Sequence, residues 1–223
     1  MFTQQDVQKI IDRIIGYSKL PGCEVNIQWT EDDFIRFANN GITTSGYRVT
    51  QQISISSTTA DKRSGNAVVG ELTPDALQRG VEQAEELARI SPVNPEDMPP
   101  LPAQIYPRLS NFDEYTASAR GGELIPQVKA VLAGALESNL IAAGYIQRSA
   151  NVVGVGNKAG LFGYHTYTDS SLTHTMRNSG GSSSGWASHS LQISPVETGT
   201  WPWVSRLARW MSWISSPVSM SLR

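Results

Sequence analysis

FIRFANNGITTSGYRVTQQISI, residues 34–55, is the stretch whose reading decides the architecture. Phe34–Ala38 is a short apolar run. Asn39-Asn40-Gly41 then supplies residues that tolerate positive φ, so the chain can reverse tightly. From Tyr47 to Thr58 the sequence is long and β-branched, with Tyr47, Val49, Ile53 and Ile55 in phase on one face. Strand, tight reversal and longer strand make an antiparallel hairpin.

The flanks extend this hairpin into a meander with helices on either side. Upstream, CEVNIQW alternates strictly, with Cys23, Val25, Ile27 and Trp29 on one face and Glu24, Asn26 and Gln28 on the other. Thr30–Asp33 is polar and predicts a turn between that strand and the Phe34 strand. Before it, Val7, Ile10, Ile11, Ile14 and Ile15 form a helical stripe, opened by a Thr3/Asp6 capping box and closed by Gly16 through Pro21-Gly22. Downstream, Asp61–Asn66 predicts a turn and Ala67–Val69 a returning strand. Thr73-Pro74-Asp75 then places an N-cap and a proline at the first helical position. Leu77, Val81, Ala84 and Ala88 form that helix's apolar face.

Six prolines between Ser91 and Ser110 (Pro92, Pro95, Pro99, Pro100, Pro102 and Pro107) interrupt this pattern. Proline at that density removes backbone donors and favours extended chain, which predicts a semi-rigid linker. A second helical stripe follows at Val128, Val131, Leu132, Ala135 and Leu136, predicted to start near Pro126 and stop at Asn139. Leu140 to about His189 is β-rich and punctuated by glycine. The expected class is α+β, two units of helices packed on antiparallel meandering sheets. Their expected limits are residues 1–91 and 111–198, joined by the linker at 92–110 and followed by an atypical Trp/Ser-rich tail at 199–223.

The chain has 223 residues and a formal net charge of −2, which gives no general electrostatic case for nucleic-acid binding. A single cysteine, Cys23, excludes an internal disulfide and points to a reducing compartment. The N-terminal residues lack a basic region followed by a continuous apolar stretch, and no run approaches the ~18 apolar residues of a membrane span. A cytoplasmic location is expected.

Three motif matches fail in their context. Gly154-Val155-Gly156-Asn157-Lys158-Ala159 satisfies a dinucleotide-binding pattern, but strand-like sequence follows where a helix is required. Gly181-Ser182-Ser183-Ser184-Gly185 satisfies a nucleophile-elbow pattern, yet both flanks are small and polar, and His189 precedes the only later acid, Glu197. His165, His174 and His189 form no H-E-x-x-H arrangement. His165 and His174 could face one another across a hairpin, but two histidines without a third ligand make a poor metal site. Cys23, in phase with Val25 and Ile27, reads as a small buried hydrophobe.

Two stretches together resemble the TldD/PmbA family, also called the modulator of DNA gyrase family. The first holds the Arg36-Phe37-Ala38-Asn39-Asn40 run, the long strand after it, and the helix with Ala84, Leu87 and Ala88. The second holds Ala143-Gly144-Tyr145-Ile146, Asn157, Gly160-Leu161-Phe162-Gly163-Tyr164 and the Thr/Ser-rich strand to Thr175. The resemblance covers roughly Asp6 to Ser188. It implies a cytoplasmic protein that dimerises with itself or a related subunit and takes part in zinc-dependent proteolysis of unstructured peptides. In active members the metal is held by an HExxxH motif and a later cysteine, in a third, C-terminal domain; other members are non-catalytic partner subunits. This sequence has no HExxxH and no cysteine after Cys23. No catalytic, cofactor-binding or metal-binding residue of the family is therefore carried over, and zinc is expected only of a complete catalytic member.

The tail departs from this pattern. Residues 199–223 hold four of the six tryptophans and three arginines but no Asp, Glu or Lys. As a helix, Trp203, Leu207, Trp210 and Ile214 would share a face suited to a membrane interface. The favoured reading is a frameshift or truncation that replaces the start of the third domain. Two expectations follow: the N-terminal part of a metallopeptidase, inactive alone, or a non-catalytic subunit that encloses peptide. A serine hydrolase using the Ser182–Ser184 loop is the weaker third.

Overall fold

Glu31, Asp32 and Asp33, expected to form a turn, lie inside a strand. The computed structural model describes residues 1–107 and 109–191. Its elements are α1 (Gln4–Tyr17), β1 (Gly22–Ala38), β2 (Gly41–Thr58), β3 (Ser64–Val69), α2 (Pro74–Ile90), α3 (Glu114–Ser118), α4 (Gly121–Glu137), β4 (Leu140–Asn157), β5 (Phe162–Asn178) and β6 (Ser184–Leu191). The strands form one open antiparallel sheet in the order β3-β2-β1-β4-β5-β6, and the class is α+β as expected. Both readings of the tail fall outside the described residues. Among the described residues, no helix is long and apolar enough to cross a membrane.

Two compact units are built from interleaved stretches of chain. Among the described residues, the first comprises 1–30, 49–111 and 151–167, and the second 31–48, 112–150 and 168–191. Residues 92–110, expected to join consecutive units, lie within the first.

In the first unit, α1 begins with the reciprocal cap its sequence encodes. The Thr3 hydroxyl accepts from the Asp6 N–H (3.2 Å), and the Asp6 carboxylate accepts from the Thr3 N–H (3.0 Å). Val7, Ile11 and Ile14 of this helix pack with Cys23, Val25, Ile27 and Trp29 of β1, and with Leu77, Val81 and Ala84 of α2. The Glu85 carboxylate of α2 accepts from the backbone N–H groups of Lys19 and Leu20, which fixes the chain just past the end of α1. Glycine decides how closely the helices approach. A Cβ at Gly65 would collide with the backbone of α2 between Ala84 and Ala88, so α2 lies directly on β3.

In the second unit, Leu124, Val128, Val131 and Ala135 of α4 pack on Ile35 and Phe37 of β1, Ala142 and Ile146 of β4, and Leu172 and Met176 of β5. The hairpin read from Asn39-Asn40-Gly41 forms, with φ of 50° at Asn39 and 60° at Asn40. The Asn40 amide also grips β4, donating to the Leu140 carbonyl (2.8 Å) and accepting from the Ala142 N–H (2.7 Å).

The acidic triplet stays in a strand because arginines remote in sequence neutralise it. Arg148 of β4 is fully buried, and its guanidinium donates to Asp33 (2.5 Å) and Glu31 (3.1 Å). Arg120 adds a second cation, 3.3 Å from Glu31 and 3.7 Å from Asp33. Asp32, of opposite parity, takes Arg48 of β2 at 2.6 Å. Asp33 also accepts from the Gly121 N–H (3.2 Å), placing a carboxylate at the start of α4. That explains why α4 begins at Gly121 rather than near Pro126, which sits inside the helix. Part of its cap comes from this distant strand, and part is local, the Glu123 carboxylate accepting from the Arg120 N–H (2.8 Å).

Removing one partner from a buried ion cluster typically costs about 3–5 kcal/mol, because the remaining charges stay buried. Arg148→Ala is expected at the low end, about 3 kcal/mol, since Arg120 still faces both carboxylates. Denaturant unfolding would show this as a lower midpoint at unchanged slope; a loss under ~1 kcal/mol would mean that the cluster is solvated.

Candidate functional site

On β1 the residues out of phase with the core, Asn26 and Gln28, form the floor of a groove in the first unit. Gln52 and Ser54 of β2, Val153 and Val155 of β4, and Gly163 and His165 of β5 continue that floor. Tyr106, Pro107 and Leu109, from the proline-rich stretch, form its wall, and the cavity is about 590 Å³.

The proline-rich stretch is tied to the sheet at its middle. Asn157, almost fully buried, donates from its side chain to the Leu101 carbonyl (3.0 Å). Its side-chain oxygen accepts from the N–H groups of Ala159 (2.9 Å) and Leu161 (3.1 Å), so one amide closes the β4–β5 turn and holds the strap. A backbone bridge joins Pro102 to Gly160, whose φ of +93° suits glycine. Gly163 leaves room for the wall, since a Cβ there would lie 3.3 Å from the Tyr106 ring.

Amides and a hydroxyl supply most of the groove's polar groups. Asn26 donates to Glu24 (3.2 Å), while the side chains of Gln28, Gln52 and Ser54 make no hydrogen bond among the described residues. Those unused donors and acceptors face the cavity beside an aromatic wall, an arrangement suited to holding a polar, extended ligand. The His165 ring stacks on Tyr167 at 5.9 Å.

The sequence motifs fall elsewhere. Gly154 and Gly156 lie within β4, where a Cβ would collide with Val7 and Ile11 of α1; they bring helix and strand together, and β5 follows instead of a helix. Ser182 and Ser183 occupy the β5–β6 turn, bonded to Asn178, with Ser182 accepting at 2.8 Å. Ser184 and His189 pair with Arg177 and Leu172 along β6, five positions and roughly 16 Å apart, so the structure does not assemble a serine–histidine pair. His165 and His174 cannot face each other across a hairpin, since both lie on β5, nine positions apart and of opposite parity. Among the described residues, no three of His, Cys, Asp and Glu cluster to hold a metal ion. Cys23 is buried as expected, and burial pushes its thiol pKa up, away from reactivity. None of the sequence motifs marks the groove. The available signal was the uncharged polar row Asn26/Gln28 and Gln52/Ser54 beside Tyr106.

No family model and no curated protein matches this sequence. Solved structures do match. TldE from Thermococcus kodakarensis superposes with a TM-score of 0.77 at 16% identity, over 95% of this chain and 48% of that one. A putative modulator of a DNA gyrase from Thermotoga maritima gives 0.70 at 12% identity, over 93% and 47%. A putative modulator of DNA gyrase from Bacteroides thetaiotaomicron gives 0.69 at 15% identity, over 86% and 46%. The chain thus has the fold of these proteins and spans about half the length of each.

One histidine carries a pH prediction. His174 is 4% exposed on β5, and its Nδ1 has no hydrogen-bond partner. Burial holds its pKa below the ordinary 6.5, so the folded chain keeps it neutral while the unfolded chain binds a proton first. Stability is then full above pH 6.5 and falls as pH drops from 6.5 through the folded-state pKa, by up to ~1.4 kcal/mol per pH unit. Unfolding measured at pH 7.5 and 5 is expected to show a steeper loss for the native chain than for His174→Phe. Equal slopes would contradict this.

Proposed function

We propose that this chain is a TldD/PmbA-type scaffold that holds unstructured peptide against the open sheet face of its first unit and does not itself cleave it. The observation that carries this reading is the fold match to TldE over 95% of the chain, at a TM-score of 0.77. The groove supports it, with unused amides and an aromatic wall on a surface wide enough for extended chain. The sequence resemblance supplies the peptide as ligand class, together with pairing to a like or related subunit and a cytoplasmic setting. In a complete catalytic member of such a family, zinc would polarise the scissile carbonyl and a glutamate would activate water. No HExxxH occurs in these 223 residues, so this chain's part is positioning and enclosure.

A fluorescein-labelled unstructured dodecapeptide is expected to gain anisotropy on titration with the purified chain and to be recovered intact by mass spectrometry, with or without added zinc. Zinc-dependent cleavage products would contradict the assignment, as would the absence of binding at millimolar protein.

A further inference from the structure

Resting on the peptide-holding reading, the groove's dimensions and chemistry define the segment it takes. We infer that it holds about four uncharged residues of an extended chain, lying across the strands beneath Tyr106. The floor draws on four adjacent strands, β2, β1, β4 and β5. Three inter-strand spacings of ~4.8 Å make roughly 14 Å. At ~3.4 Å per extended residue, that length accepts about four residues.

The lining sets their chemistry. Its uncommitted groups are the amides of Gln28 and Gln52, the hydroxyls of Ser54 and Tyr106 and the His165 imidazole, which pair with neutral amides, carbonyls and hydroxyls. Val153, Val155, Leu109 and the Tyr106 ring make the rest of the surface apolar. Among the described residues, the lining contains no Asp, Glu, Lys or Arg. A charged side chain bound there would lose hydration without gaining a counter-ion from the described lining, the nearby Glu24 carboxylate being engaged by Asn26. The wall depends on Asn157, which positions the strap without touching the groove's contents.

The test uses the full chain and three labelled tetrapeptides, acetylated and amidated so that their termini carry no charge: Ala-Gln-Gln-Ala, Ala-Glu-Glu-Ala and Ala-Lys-Lys-Ala. The neutral peptide is expected to bind at least tenfold more tightly than either charged one. Tyr106→Ala, at a half-exposed side chain that the fold does not need, is expected to weaken it by about tenfold. Gln52→Lys, at another exposed position, is expected to turn the preference toward the glutamate peptide and further against the lysine one. Equal binding of all three, or indifference to both substitutions, would overturn this assignment while leaving the dodecapeptide result standing. Failure of the dodecapeptide to bind would remove the reading beneath it.

Discussion

A buried guanidinium between two carboxylates is the interaction on which β1 depends. Three consecutive acids would ordinarily end a strand, because their charges prefer water and repel one another. Here parity sorts them: Glu31 and Asp33 point one way to Arg148 and Arg120, and Asp32 points the other way to Arg48. A fully buried arginine is tolerable only if its donors are used. Two carboxylates and the Glu31 carbonyl use them here, although Nε remains without a partner. Asp33 has a second duty at the first turn of α4, so the same cluster holds a strand and starts a helix.

The groove follows from similar economy in the first unit. With α1 and α2 packed on one face of β1, the residues of opposite phase remain for function. Asn26 and Gln28 are polar and uncharged, as are Gln52 and Ser54 beside them. The proline-rich stretch, unable to add a regular strand, is pinned by the Asn157 amide and supplies Tyr106 as a wall. Each property that the proposed holding of an extended neutral chain needs thus comes from an element with a structural reason to be there.

Local chemistry was legible in the sequence, and remote chemistry was not. The Thr3/Asp6 cap, the Thr73-Pro74 helix start and the Asn39-Asn40-Gly41 reversal all depend on neighbours within four residues, and all form as read. Thr30–Asp33 read as a turn because Arg148, the residue that overrules its polarity, lies more than a hundred positions away. α4 starts ahead of Pro126 in part for the same reason, since Asp33 accepts from the Gly121 N–H beside the local Arg120/Glu123 cap. His165 and His174 were placed on two strands because nothing nearby shows that β5 runs unbroken for 17 residues. Three residues of the family resemblance gain concrete roles. Asn40 grips β4, Asn157 holds the strap, and a Cβ at Gly144 would collide with Phe37, His174 and the Thr173 carbonyl. The groove was invisible because its wall comes from residues read only as a linker.

The fold of TldE and the gyrase-modulator proteins therefore rests, in this chain, on a strand that crosses its own acidic triplet. Amide hydrogen exchange at Glu31, Asp32 and Asp33 tests that claim most directly. In a continuous strand, hydrogen-bonded amides of this triplet are expected to exchange as slowly as those of Val25 and Ile35, through opening of the whole sheet. Exchange of all three within minutes, while Val25 and Ile35 stay protected, would show a turn and contradict the account.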